Sequence, residues 1–354
     1  MITYIDRENR FYELFNPDTG EYMRSGVLDE NLRDTGLDPF MRNFPSLIDI
    51  GIMNRCVCAA HCHVDCYQKA ISRAGPNMRL KDYIFIMSQC KGKVFQVALG
   101  GAGDPDTHEA FREILFATRM CGIVPNFTTS GIAFTPEKAA LCKKYCGAVA
   151  VSMHDADYTY NAIQLLLNAG VKTNIHYVLG RNSIQDAIDR LKGDSFPDAI
   201  NAVVFLLYKP IGLGRIENVL QDDDPKLAEF FDLIDSKKFP FKIGFDSCTA
   251  PAIINRTKNV DLRSMDFCEG GRHSMYIDAD LNAMPCSFGN QDRQYYVSLR
   301  ENTIEQAWNS DVFNRFRDSL RHSCPDCPDR SGCAGGCPIC RSIVLCSRKE
   351  KILK

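Results

Sequence analysis

A strand-like segment runs directly into a group of cysteines at residues 47–67, LIDIGIMNRCVCAAHCHVDCY. The first seven residues have the apolar character of a buried strand. Four cysteines follow its carboxyl end within eleven residues: Cys56, Cys58, Cys62 and Cys66. Three thiolates in one short loop can bind three irons of a [4Fe–4S] cube and leave the fourth iron open for a chelating ligand. The alternative is a zinc site that combines these cysteines with His61 or His63.

The chain as a whole is rich in cysteine, with 17 among 354 residues. Its first residues lack the basic and apolar blocks of a signal peptide, so we expect a cytoplasmic, reducing location, where disulfides are rare. Clustered cysteines in that setting are more often metal ligands. The formal net charge of -2 offers no basic field for nucleic acid, and no apolar run is long enough to cross a membrane.

Six short apolar runs alternate with amphipathic helical patterns between residues 46 and 239. The runs are Leu47–Met53, Val94–Leu99, Val124–Phe127, Ala148–Met153, Lys172–Leu179 and Ala202–Tyr208. Strands separated by helices are typical of a parallel sheet with helices outside, so we predict an α/β fold, a partial (β/α)6 TIM-like barrel. The active site of such a fold lies at the carboxyl ends of its strands.

The regions on either side of this barrel have different patterns. Residues 1–45 form an extension in which 3–15 and 22–27 predict a β-hairpin around a turn at 16–20. Residues 240–354 contain few long apolar runs and many cysteines, so this region is expected to need metal sites in order to fold. We therefore predict three units, with boundaries after residues 45 and 239.

The carboxyl-terminal cysteines follow a specific spacing. Four of them are separated by two, five and three residues: Cys324, Cys327, Cys333 and Cys337. Cys340 and Cys346 follow, and Cys268 and Cys286 lie upstream. Two zinc sites are the alternative to iron–sulfur clusters here, because paired Cys-x-x-Cys knuckles also occur in zinc ribbons. Four other cysteines lie in apolar or helical stretches and are interpreted as core residues: Cys90, Cys121, Cys142 and Cys146.

Both cysteine groups resemble those of radical S-adenosylmethionine (SAM) enzymes that carry a SPASM domain. The resemblance is to peptide maturases, because the usual substrates of this family are peptides. The family motif has three cysteines spaced by three and then two residues, with an aromatic residue beside the last. Here the spacing is three and three from Cys58, or five and three from Cys56. The first ligand therefore stays open, with Cys56 favoured by its place directly after Asn-Arg. Cys62 and Cys66 are ligands in both cases, and Tyr67 stands in the place of the family aromatic.

The SPASM resemblance implies two auxiliary [4Fe–4S] clusters, and thus three clusters in all. The ligands implied for auxiliary cluster I are Cys248, Cys268, Cys286 and Cys337. Those implied for auxiliary cluster II are Cys324, Cys327, Cys333 and a last cysteine, for which Cys346 suits the family's gap better than Cys340. Leu281 stands where the family has a glycine, a departure that affects a turn rather than a ligand.

The resemblance also implies a SAM site along the carboxyl ends of the strands. In the family, a glycine-rich turn after the second strand binds the SAM amino group, and Asp104 stands here where relatives have glutamate. Polar side chains at later strand ends contact the SAM carboxylate and ribose. The residues implied are Tyr67, Gly100, Gly101, Asp104, Thr129, Ser152, Asn174 and His176.

The activity that this resemblance implies is reductive cleavage of SAM to a 5′-deoxyadenosyl radical, which abstracts hydrogen from a peptide or protein substrate. The expected product is an oxidative crosslink or other modification in a ribosomally made peptide. The expected partner is a low-potential electron donor of flavodoxin or ferredoxin type. An alternative enzyme, similar to sulfatase maturases, oxidises Cys or Ser to formylglycine, and Asp246 is the candidate for its catalytic base. A zinc-stabilised binding protein and a pure electron carrier are the competing non-enzymatic hypotheses.

Overall fold

The fold begins with a small antiparallel sheet. In the computed structural model, which describes residues 1–57, 64–261 and 264–346, its strands lie in the order β1 (Ile2–Asp6), β2 (Phe11–Phe15) and β3 (Tyr22–Arg24). The turn at 16–20 joins β2 to β3, and the Gly20 N–H donates to the Asn16 carbonyl at 2.8 Å. A second turn at 7–10 divides the run that was expected to form one strand.

A ten-stranded sheet forms the body of the described chain. Its parallel strands follow one another in chain order: β4 (Leu47–Met53), β5 (Gln96–Gly101), β6 (Val124–Thr129), β7 (Val149–Ser152), β8 (Thr173–Leu179), β9 (Ala202–Leu207) and β10 (Lys242–Phe245). Helical crossovers between them give the winding of a TIM-like barrel. The predicted α/β fold is confirmed, with two more parallel strands than expected. Beyond residue 239, β10 pairs with β9, and the strand Ser274–Ile277 pairs with β4 at the other edge.

Each crossover packs a helix against the outer face of the sheet. The helices are α1 (Leu80–Cys90), α2 (Phe111–Met120), α3 (Pro136–Tyr145), α4 (Asp157–Asn168), α5 (Ile184–Gly193) and α6 (Pro225–Ser236). One face of each helix is buried, as Ile114 and Leu115 are in α2. Thr135 and Asp224 begin α3 and α6 by accepting a backbone N–H of the first turn.

The two faces of the barrel strands differ in accessibility. Along β8 the odd-numbered residues are buried, whereas Asn174, His176 and Val178 between them are accessible. The same alternation leaves Leu47 and Asp49 of β4 partly accessible. Since side chains alternate between the faces of a strand, the accessible set shares the inner face. The barrel therefore encloses a lumen that polar side chains line.

Residues beyond β10 extend the other edge of this sheet. α7 (Ala250–Arg256) precedes β11 (Ser274–Ile277), which pairs in parallel with β4. β12 (Asn282–Met284) and β13 (Val297–Ser298) continue the sheet in antiparallel fashion. Three helices follow: α8 (Ile304–Trp308), α9 (Asp311–Arg321) and the single turn α10 (Arg330–Cys333).

Arg42 joins the amino-terminal sheet to the rest of the molecule. Its side chain is fully buried, and its Nε lies 2.8 Å from Oε2 of the equally buried Glu13 in β2. Its backbone N–H donates to the Arg272 carbonyl, and its carbonyl accepts from Trp308 Nε1, both at 3.0 Å. One arginine thus connects the first sheet, the approach to β11 and helix α8.

Candidate active site

Four cysteines converge on one cavity at the open side of the barrel. The cavity has a volume of about 660 Å³ and touches β4, β10 and β11. Cys248, Cys268, Cys286 and Cys337 all line it, although they come from four separate segments of the chain. The structure therefore brings together the four cysteines that the resemblance implied for auxiliary cluster I.

Backbone N–H groups point at three of these thiols. The pairs are Gly270 with Cys268, Phe288 with Cys286 and Cys340 with Cys337, the last at 3.3 Å between N and Sγ. Burial raises the pKa of Cys286 to about 12 and that of Cys268 further. Thiolates at these positions need positive charge beside them, which metal ions supply. N–H groups directed at sulfur are also a common device for tuning iron–sulfur clusters, so the residues present fit such a group.

A buried lysine lies beside the same thiols. Lys209 follows β9, its side chain is 2% exposed, and its Nζ lies 2.5 Å from Asp246 Oδ2. Asp246 also accepts the Leu207 N–H at 3.2 Å and the Thr249 hydroxyl at 2.8 Å. The residue predicted as a weak candidate for the catalytic base is thus held in an ion pair. A base needs a free lone pair within reach of the substrate, so this geometry speaks against Asp246 in that role.

A second group of thiols lies in residues 324–346. Burial and then the neighbouring thiols raise the pKa of Cys333. Those neighbours are Cys324, Cys327 and Cys346. The Gly335 N–H donates to Cys333 Sγ at 3.3 Å, as in the first group. The four cysteines implied for auxiliary cluster II, with Cys346 as the last, therefore lie near one another.

Cys340 points elsewhere. Its Sγ lies 3.3 Å from the Ser342 hydroxyl, and its backbone N–H donates to Cys337 Sγ. Cys340 and Cys346 were the two candidates for the last ligand of auxiliary cluster II. Of these, Cys346 is the one that lies near Cys333. In the part of the chain that the structure describes, no three His, Cys, Asp or Glu side chains come as close together as a single metal ion requires.

The loop of the first cysteine group is described only at its two ends. Cys58, His61, Cys62 and His63 lie outside the described residues. Cys56 and Cys66 are half-buried on either side of them. The choice between Cys56 and Cys58 as first ligand therefore stays a prediction.

Two glycine turns pack against the ends of this loop. A Cβ on Gly103, in the turn after β5, would come within 2.5 Å of the Arg55 carbonyl and 3.2 Å of the Cys56 Cα. A Cβ on Gly212, after β9, would overlap the Tyr67 carbonyl, and the neighbouring Leu213 N–H donates to the Cys66 carbonyl at 3.0 Å. Such close backbone approach requires glycine.

Three of the predicted SAM-binding residues lie beside these turns. Gly100 and Gly101 end β5, where Gly101 has a φ of 113° and packs on the Met53 backbone. Tyr67 follows Cys66, and its ring centroid lies 4.8 Å from that of Phe288. Burial raises the pKa of Tyr67. Its hydroxyl therefore stays protonated, as expected for a packing and hydrogen-bonding role.

Asp104, in the same turn, has its carboxylate engaged within the protein. Its two oxygens accept from Ser130, one from the N–H at 2.9 Å and one from the hydroxyl at 2.5 Å. The side chain thus connects the turn after β5 to the turn after β6. Contact with a SAM amino group would have to share these oxygens or use the backbone carbonyls of the turn.

Two neighbouring threonines of β6 lie on opposite faces of the strand. Thr129 is 1% exposed, and its hydroxyl oxygen accepts the Gly131 N–H at 3.1 Å. Thr128 lies on the lumen side instead, with Oγ1 3.3 Å from His176 Nδ1. Thr129, the predicted residue, therefore faces away from the lumen, because the alternation of a strand places neighbours on opposite faces.

Ser152, His176 and Asn174 differ in position. Ser152 pairs with His176 across β7 and β8. Burial lowers the pKa of His176 to about 4, so its imidazole is neutral at pH 7. Asn174 lies near the amino end of β8, where its Oδ1 accepts from Asn201 at 2.7 Å. That position is away from the carboxyl edge at which a SAM contact was expected, because β8 continues to Leu179.

Asp49 is a candidate functional residue that sequence reasoning missed. It lies on the inner face of β4 and lines the cavity with the four thiols. Burial raises its pKa to about 7. Among the described residues no cation pairs with its carboxylate, in contrast to Asp246. The available signal was an aspartate within an otherwise apolar strand.

Comparison with known families agrees with the cysteine pattern. Residues 268–328 match the SPASM family, an iron-sulfur cluster-binding domain. The chain contains a SPASM domain. The matched part of this SPASM domain includes four of the proposed auxiliary ligands, Cys268, Cys286, Cys324 and Cys327. The iron–sulfur character expected for the SPASM region is therefore shown.

Solved structures share the fold around this SPASM domain. Streptococcus suis SuiB bound to its precursor peptide SuiA matches with a TM-score of 0.68 at 16% identity, over 95% of this chain and 94% of SuiB. SuiB bound to S-adenosylmethionine matches at 0.65 and 18%, over 84% and 74%. The protein anSMEcpe with bound AdoMet and a Cp18Cys peptide matches at 0.59 and 15%, over 84% and 90%. The expected resemblance to radical SAM/SPASM proteins is confirmed. No helix in the described residues is long and apolar enough to span a membrane.

Proposed function

We propose that this chain is a radical SAM enzyme that oxidises a peptide in a lumen bordered by an auxiliary iron–sulfur cluster. The observation that carries the proposal is the cavity shared by four cysteine thiols and Asp49 on the inner face of β4. A purely structural metal site has no need to open onto the lumen. An electron acceptor, in contrast, must lie close to the substrate that it oxidises.

Three [4Fe–4S] clusters are proposed. The SAM cluster takes Cys62 and Cys66 with Cys56 or Cys58, and the auxiliary clusters take the two cysteine groups described above. When bound, the SAM cluster and SAM supply the 5′-deoxyadenosyl radical that removes a hydrogen atom from the substrate. The residues proposed to hold SAM are Tyr67, Gly100, Gly101, Ser152 and His176, with Thr128 in place of Thr129.

Asp49 is proposed to accept the proton that the substrate loses during oxidation. Its carboxylate faces the cavity, and no cation among the described residues occupies it. A carboxyl group with a pKa of about 7 is suited to exchange protons near neutral pH. Formylglycine formation is less well supported, because Asp246, its candidate base, is paired with Lys209.

The proposed substrate is a ribosomally made peptide that receives an oxidative crosslink. SuiB was captured with its precursor peptide, and that structure matches 95% of this chain. The protein anSMEcpe was also captured with a peptide. A flavodoxin or ferredoxin is proposed as the donor of the low-potential electron.

The first test measures SAM cleavage. Protein purified without oxygen, reduced with dithionite and given SAM should release 5′-deoxyadenosine and contain about twelve irons, four for each cluster. Cys66→Ala should abolish the release, whereas Cys121→Ser, at a half-buried cysteine outside the three groups, should retain it. A colourless protein that contains zinc, or equal release by Cys66→Ala, would contradict the proposal.

The second test concerns the substrate. Short peptides encoded beside this gene are expressed together with the enzyme and examined by mass spectrometry. A crosslink formed by oxidation should lower the peptide mass by two hydrogen atoms, and Cys66→Ala should leave the mass unchanged. Unchanged mass with the active enzyme would argue against peptide maturation while leaving SAM cleavage intact.

A further inference from the structure

The ion pair with Asp246 does not by itself explain why a charged lysine is buried at position 209. Its Nζ donates to the Leu207 carbonyl at 2.9 Å and to Asp246, and its side chain is 2% exposed. Burying a lysine is costly because its charge leaves water, so such residues are usually kept for a function. An apolar side chain of similar length would fill the same volume without that cost.

The ammonium group lies behind the wall of the cavity that the four cysteines line. Burial and the neighbouring charges of Asp246, Cys248 and Cys337 act on Lys209, and together they raise its pKa, so it carries its charge at neutral pH. The two side chains that Lys209 Nζ contacts, Asp246 and Phe288, both line the cavity together with the four cysteines.

An aromatic ring connects this lysine to the other cysteine loop. Lys209 Nζ lies 4.5 Å from the centroid of the Phe288 ring, which in turn lies 4.8 Å from that of Tyr67. Phe288 follows Cys286 by two residues, and Tyr67 follows Cys66 directly. Cation and ring thus hold Lys209 at the point where the two cysteine loops meet.

We propose that Lys209 is a positioning residue that makes the reduction potential of auxiliary cluster I more positive, so that this cluster can accept the electron left on the substrate. The inference rests on the proposed function for the presence of the cluster. In a medium of low dielectric constant, a fixed positive charge stabilises the reduced cluster, which carries one more negative charge than the oxidised one.

The electron balance follows from the proposed reaction. The substrate first loses a hydrogen atom to the 5′-deoxyadenosyl radical. When the new bond forms, the substrate radical loses one proton and one electron. The proton passes to a base, for which Asp49 is proposed, and the electron passes to the oxidised cluster, which is reduced by one unit. Lys209 takes part in no covalent step.

The test is a redox titration followed by electron paramagnetic resonance on the fully loaded protein. The signal of auxiliary cluster I is defined as the one that Cys268→Ala removes. Lys209→Met, which has similar length and no charge, should shift its midpoint potential to more negative values. Lys209→Arg, which keeps the charge, should stay close to wild type. Asp246→Asn should shift it in the opposite, positive direction, because the charge of Lys209 is then no longer opposed.

The outcomes separate this inference from the proposed function. If Cys268→Ala removes no signal, and iron content is unchanged, the auxiliary cluster itself is refuted. If the signal is present but Lys209→Met and Lys209→Arg shift it equally, or neither shifts it, the inference about Lys209 is wrong. If Lys209→Met does not fold, the sign of the Asp246→Asn shift decides: a negative shift or no shift overturns the inference.

Discussion

The barrel and the segment 324–346, here named the cysteine tail, hold their structure by different means. The barrel strands and helices bury one apolar face after another, with residues such as Ile48, Val97 and Phe205 completely buried. Among its described residues, the cysteine tail contains a four-residue helix and a short 3-10 turn as its regular elements. It nevertheless contains six cysteines, Cys324, Cys327, Cys333, Cys337, Cys340 and Cys346.

This difference shows where each part obtains its folding free energy. Burial of apolar area stabilises the barrel with no help from a ligand. The cysteine tail buries only a few apolar side chains, such as Ile343 and Leu345. A short segment with so little burial is expected to need a metal centre, whose binding free energy then becomes folding free energy. The cysteine tail supplies Cys337 to the first thiol group and four cysteines to the second, so both proposed auxiliary centres would tie it to the molecule.

Removal of iron should separate the two regions most strongly. In protein stripped of iron by chelation under reducing conditions, we expect the cysteine tail to lose protection from hydrogen exchange, while the strands β4 to β9 keep theirs. Exchange measured by mass spectrometry on matched iron-loaded and iron-free samples checks this. Equal loss of protection in the barrel strands would show that the two regions fold as one unit.

Substitution of one cysteine in the cysteine tail should show which thiols bind iron there. Cys346→Ala is expected to remove about four irons, because it takes one ligand from the group around Cys333. Cys340→Ala is the matched control and should retain all iron, since its thiol contacts Ser342 instead. Iron content and the absorbance near ~400 nm report both variants. Iron loss in Cys340→Ala with none in Cys346→Ala would reverse the assignment.

The barrel was easier to predict from sequence than the site that it carries. Apolar runs alternating with helical patterns predicted the parallel sheet, because burial imposes a regular period on each element. The strand Lys242–Phe245 was missed, since its four residues include a lysine, a glycine and a single aromatic residue and lie beyond the last long run. The resemblance to SPASM proteins implied the two auxiliary cysteine sets, although nothing in the sequence shows that four distant segments meet at one cavity.

The errors within the site come from side-chain direction. Thr128 and Thr129 are alike in sequence, and only the register of β6 decides which one faces His176. Asp246 was named as a candidate base from the resemblance to sulfatase maturases, but its partner Lys209 is 37 residues away along the chain. Contacts across the sheet of this kind have no local pattern. Asp49 was not named as a site residue for the same reason, because only the folded structure shows that it lines the cavity.

The amino-terminal sheet provides a test in which no metal takes part. Arg42→Met leaves Glu13 buried without its partner, and breaking a buried pair typically costs about 3–5 kcal/mol in the free energy of unfolding. We expect this loss by chemical denaturation in both iron-loaded and iron-free protein. Lys192→Met, which removes an exposed ion pair with Glu229, is the control and should show little change. A loss confined to iron-loaded protein would place Arg42 with the cysteine tail instead.

The last effect expected concerns pH and Asp49. Its pKa is raised by burial from 3.8 to about 7, so between these values the folded protein holds a proton that the unfolded chain has released. Stability from this group is therefore greatest at low pH and falls as pH rises towards 7, by at most about 1.4 kcal/mol per pH unit. Asp49→Asn should remove that slope, so the difference in unfolding free energy between wild type and variant should change below pH 7 and stay constant above about pH 8. Asp246→Asn, at the ion-paired carboxylate on the opposite edge of the cavity, is the matched comparison and should leave the slope in place. If Asp49→Asn and wild type respond to pH in the same way, the carboxylate is ionised in the folded lumen and a cation must face it.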